Sequence, residues 1–80
     1  MSSTIEAVDA KRIGPVIREA RLAKGLSQAK LAKMVGITQP SLSEIERGIC
    51  APSAPVMLRL FKALDISEKL IEVLQEARHA

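Results

Sequence analysis

Between Thr38 and Arg47 the chain reads Thr-Gln-Pro-Ser-Leu-Ser-Glu-Ile-Glu-Arg, a run rich in side chains that donate and accept hydrogen bonds. If this stretch is a helix with Leu42 and Ile45 turned inward, then Gln39, Pro40, Ser43, Glu44 and Arg47 share the outward side, since i, i+1, i+4, i+5 and i+8 fall along one face. Gln39 carries a donor and an acceptor, the pair that matches an adenine edge. Glu44 can accept from a cytosine amino group, Pro40 can touch a thymine methyl, and Ser43 can serve several bases. Arg47, at the end of the row, suits a phosphate. Water alone also favours a polar helix face, so the row acquires meaning only from the elements that position it.

Those elements can be read from caps and spacing. Thr38 is an N-cap for the polar helix, Pro40 falls in its first turn where no intrahelical N–H is needed, and Gly48 stops it. The helix before it is capped by Ser27, turns Leu31, Ala32 and Val35 inward, and ends at Gly36, which tolerates a left-handed φ. Two helices joined by so short a turn must cross closely. The crossing needs a small residue (Ala32), a turn residue free to take positive φ (Gly36) and an apolar plug for the gap (Ile37), and all three are present.

The flanking segments complete a bundle. Residues 1–12 hold two isolated apolar residues, Ile5 and Val8, without a period, and are expected to form a loose arm that can order on a partner. Gly14 and Pro15 mark a predicted helix start, followed by Ile17, Ala20, Arg21 and Lys24 at helical spacing up to Gly25. After the loop Ile49 to Pro52, Ser53 caps a fourth helix with Pro55 in its first turn and a stripe of Met57, Leu60, Phe61 and Leu64, which Asp65 ends. Ser67 caps a fifth, in which Leu70, Ile71, Val73, Leu74 and Ala77 supply more apolar surface than one stripe requires. The expected fold is therefore all-α, a compact five-helix bundle, with a single domain over 13–80.

Composition narrows the function classes. A chain that is 48% hydrophobic and 26% charged is globular rather than disordered. It holds no run near the roughly 18 apolar residues of a membrane span and no secretory signal pattern, so a cytoplasmic setting is expected. Its one cysteine, Cys50, has no partner for an intramolecular disulfide or a zinc site and is expected to be a small buried or half-buried apolar residue. No metal and no cofactor is implied. His79 is the only histidine, and no helix brings acid, base and nucleophile together, which argues against an enzyme. With Phe61 the sole aromatic, there is no platform for stacking single-stranded bases. The net charge of +3 is unevenly spread: Arg12 to Gly48 holds seven basic residues against three acidic ones, concentrating positive potential where a polyanion could be met.

The stretch as a whole resembles the Cro and lambda-repressor type of helix-turn-helix proteins, the XRE type. The matching residues run over roughly 13–66: Arg21, Gly25-Leu26-Ser27-Gln28, Leu31-Ala32, Val35-Gly36-Ile37, Ser41-Leu42-Ser43, Ile45-Glu46-Arg47-Gly48, Pro52-Ser53 and Leu64-Asp65-Ile66-Ser67. The resemblance implies that the helix after the turn lies in the major groove of double-stranded DNA. It implies too that Gln28, at the start of the preceding helix, binds a backbone phosphate, and that Arg21 and Glu46 form a partly buried, structural ion pair. Ser41, Lys30 and Lys33 are further candidates for phosphate contact, the lysines being also what an ordinary wetted surface would carry.

One short helix reads too few base pairs to select a site in a genome, so a homodimer on an inverted-repeat operator is expected, with half-sites about 34–36 Å apart. The surplus apolar surface of the fifth helix, including Ile71 and Leu74, is the expected dimer interface, the alternative being that it closes the monomer core. Three roles remain open on this fold: a transcriptional regulator, expected to repress; an antitoxin that binds a toxin protein and regulates its own operon; and a controller of a restriction-modification system.

Overall fold

The computed structural model describes residues 10–66. Four helices, α1 (Ala10–Ala23), α2 (Gln28–Val35), α3 (Gln39–Glu46) and α4 (Ala54–Leu64), follow in order. No strand occurs among the described residues. The predicted fifth helix, with Ile71 and Leu74, lies outside them, as does most of the expected arm.

Three helix starts are built alike. The hydroxyls of Ser27, Thr38 and Ser53 accept from the backbone N–H of Lys30, Ser41 and Val56, each three residues on, satisfying an N–H that has no carbonyl partner within its helix. The ends differ. Gly36 closes α2 at φ 76°, where its N–H and that of Ile37 return to the carbonyls of Lys33 and Ala32. Asp65 closes α4 at φ 57°, a left-handed conformation that its short polar side chain tolerates better than most.

The apolar positions then converge. Ile13 and Ile17 of α1, Leu31, Ala32 and Val35 of α2, Leu42 and Ile45 of α3, and Met57, Leu60, Phe61 and Leu64 of α4 form one buried cluster, with Leu26 and Ile37 packed on its edge. Ala32 is thus buried in the core and Ile37 half-buried against it, as a small residue and an apolar plug beside the turn would be.

Two expectations need correction. Helix α1 is already formed at Ala10, so Gly14 and Pro15 do not begin it and Arg12 is helical rather than part of an arm. Pro15 lies inside the helix with its ring exposed, where its missing N–H removes one rung of the ladder. Gly14 is there for proximity: a Cβ built on it would stand 2.5 Å from the Ile45 carbonyl oxygen and 2.8 Å from that of Glu46. Only a residue without a side chain lets α1 lie this close to the end of α3. Cys50, expected to be buried or half-buried, is exposed, because it sits in the loop between α3 and α4, where Pro52 rather than Cys50 is the buried residue.

Candidate nucleic-acid interface

Helix α3 divides cleanly. Leu42, Ile45 and Glu46 are buried, whereas Gln39, Pro40, Ser41, Glu44 and Arg47 are exposed and Ser43 is half-buried. The row expected to face outward therefore does so, with Ser43 nearer the protein than its neighbours. Thr38 and Ser41 form a small hydroxyl pair at the start of the helix, the Thr38 hydroxyl donating to Ser41 Oγ at 2.9 Å while its oxygen accepts from the Ser41 N–H. Ser41 is thus partly engaged in holding the first turn. Lys30 and Lys33 are both exposed on α2.

Arg21 and Glu46 form the expected ion pair, and the geometry is bidentate: Nε donates to Oε2 at 2.7 Å and Nη2 donates to Oε1 at 3.1 Å. Their side chains are only 11% and 2% exposed. Arg21 Nη1 also donates to the Leu26 carbonyl at 2.9 Å, so one guanidinium ties α1 to the loop before α2 and to the end of α3. Planar forks of this kind fix orientation as well as charge.

Spacing did not anticipate what Gln28 does in the folded protein. Its side chain is half-buried, and Nε2 donates to Glu46 Oε1 at 3.1 Å. The first residue of α2 and the last of α3 are joined through the same carboxylate that Arg21 neutralises. Spacing is equally silent on Arg59. Its Nη1 makes a long 3.5 Å bond to the Val35 carbonyl, bringing α4 against the end of α2 beside Gly36. No sequence signal marks either contact, since each depends on helices meeting across the fold.

The electrostatics suit an anion. Neither α2 nor α3 carries an acidic residue in its own first turn, the caps of both are neutral hydroxyls, and the Glu46 carboxylate beside Gln28 at the start of α2 is matched by Arg21, so the positive ends of their dipoles are left largely in place. Among the described residues, no group of His, Cys, Asp and Glu could hold a metal ion, and no helix is long and apolar enough to cross a membrane.

A tight helix crossing at Gly36, a buried arginine-glutamate fork and an exposed polar row on the second helix are now in place, and a helix-turn-helix family model matches residues 17–71. The chain belongs to the helix-turn-helix family, of the XRE type. An uncharacterized HTH-type transcriptional regulator of Mycobacterium tuberculosis is 39% identical over 60 residues, covering 75% of this chain and 43% of that protein. The chain spans less than half the length of that relative. The ImmF control region 10 kDa protein of Bacillus phage phi105 is 29% identical over 66 residues, 82% of this chain and 73% of that one. Among solved structures, the restriction-modification controller protein C.AhdI of Aeromonas hydrophila superposes with a TM-score of 0.71 at 38% identity, covering 79% of this chain and 96% of that chain. The clp gene regulator ClgR of Corynebacterium glutamicum gives 0.75 at 25% identity, covering 86% and 73%. This helix-turn-helix family is one of DNA-binding transcriptional regulators, not of enzymes.

Proposed function

We propose that the domain is a sequence-specific, cytoplasmic regulator of transcription, a repressor, that seats α3 in the major groove of double-stranded DNA. Gln39, Pro40, Ser43 and Glu44 read base edges, while Gln28, Ser41, Lys30, Lys33 and Arg47 meet phosphates. The observation that carries this reading is the division of α3, whose inner side is locked into the core while Gln39, Pro40 and Glu44 stand exposed beyond it. Solvation alone would also make that side polar, so the row counts together with the Gly36 turn that sets α3 beside α2. Two copies act on an inverted repeat, joined through the segment that includes Ile71 and Leu74.

Selection of bound sites from random duplexes, followed by a salt titration, tests the reading in one experiment. It is expected to return a two-fold symmetric site and a steep loss of affinity with salt. Gln39→Ala should relax discrimination at one or two base pairs, whereas Gln28→Ala should weaken binding alike on all sequences. Recovery of no common sequence, or equal binding to every duplex at low salt, defeats the proposal.

A second reading is supported by one comparison: the restriction-modification controller is 38% identical and is covered over 96% of its chain. A methyltransferase reading frame beside this one supports the controller role, and a toxin-like frame whose product copurifies with the chain supports the antitoxin role instead.

A further inference from the structure

We infer that Glu46, besides pairing with Arg21, is a positioning residue for the phosphate contact of Gln28. This inference rests on the DNA-binding reading above, and in particular on Gln28 meeting a phosphate. A free glutamine at a helix start samples many rotamers, and holding one of them on binding lowers affinity. Gln28 does not start free. Its Nε2 is anchored on Glu46 Oε1 at 3.1 Å, and Glu46 is 4% exposed, held by two bonds from an Arg21 that is itself tied to the Leu26 carbonyl.

The chemistry of the carboxylate also decides which way the amide points. An ionised carboxylate only accepts, so the nitrogen of Gln28 must face it and the amide cannot flip. One N–H is used by Glu46, and the second, on the same nitrogen, is directed away from it. A phosphate oxygen needs such a donor. The negative charge that would otherwise repel that phosphate is matched by the Arg21 guanidinium. Because Glu46 is the last residue of α3 and Gln28 the first of α2, one carboxylate sets the phosphate-binding amide relative to the base-reading helix.

Affinity for a duplex selected from a random pool is compared among the parent protein, Gln28→Ala, Glu46→Asp and the double variant, below each protein's melting temperature. Glu46→Asp retains the negative charge that matches Arg21 but, one methylene shorter, draws the shared Oε1 back from both Gln28 and Arg21. It is expected to weaken binding roughly two- to tenfold on any sequence, the scale of immobilising one long side chain, and it should add little in the Gln28→Ala background, where no amide is left to position. Full additivity in the double variant overturns the inference while leaving the Gln28 phosphate contact standing. No effect of Gln28→Ala alone removes that contact and the inference with it. Should Glu46→Asp not fold, nitrogen relaxation of the side-chain amides in the unaltered, DNA-free protein provides the answer. The Gln28 amide is expected to be as ordered as the backbone and clearly more so than that of Gln39, and equal mobility of the two overturns the inference.

Discussion

Two ion pairs start from basic residues three apart on the chain, Arg21 and Lys24, and differ in almost everything but length. Arg21 reaches Glu46 at 2.7 Å and Lys24 reaches Asp65 at 2.6 Å, so distance would rank the second slightly ahead. Surroundings reverse the order. The Arg21 and Glu46 side chains are 11% and 2% exposed, and those of Lys24 and Asp65 are 38% and 77% exposed. In water a point charge on a flexible stem gains little from holding one geometry, whereas a buried carboxylate deprived of its partner has nowhere to turn. The first pair joins the beginning of the bundle to the end of α3, and the second fastens a turn to the left-handed residue that closes α4.

The largest effect is therefore expected from opening the buried pair. Arg21→Ala or Glu46→Ala should destabilise the fold by about 3–5 kcal/mol in urea titrations, since each leaves one charge buried and unpaired. The combined Arg21→Met and Glu46→Leu variant sharpens this point: removing both charges together should leave the protein more stable than either single change does. If the double variant is as unstable as the sum of the two, the penalty lies in lost geometry rather than an orphaned charge.

Next comes the contact that brings the same two helices together. Gly14→Ala should cost about 1–3 kcal/mol through overpacking against the Ile45 and Glu46 carbonyls, although alanine is the better helix former by up to about 1 kcal/mol. A stabilised Gly14→Ala protein would mean that α1 can move off α3, and the buried pair would then lose its rigid frame. The smallest effect belongs to the exposed pair. Lys24→Ala should change stability by less than about 1 kcal/mol, and the difference should shrink as salt is raised. A salt-independent loss approaching that of Arg21→Ala would erase the contrast.

Much of this architecture was readable from local rules. Ser27, Thr38 and Ser53 announced three helix starts, Gly25, Gly36 and Gly48 their neighbouring turns, and the apolar spacing of α2, α3 and α4 named the residues now found buried. Local rules misled at Gly14, because glycine beside proline signals a chain break equally well as a close approach, and only the position of α3 tells the two apart. They were silent on Gln28 and Arg59, whose partners lie 18 and 24 residues away. The outward row on α3 was legible because two buried positions fix the phase of a helix. How deeply Ser43 sits was not, since that depends on what packs beside it.

The closeness of α1 to α3 at Gly14 bears on which partner yields in a complex. With peptide backbones nearly touching and a bidentate fork just beyond, α3 is held to α1 at two places, so tilting or sliding it would break one contact or the other. On the proposed reading, in which α3 enters the major groove, such a frame leaves adjustment to the duplex, so base steps that bend or twist easily should be favoured even where no side chain reaches them.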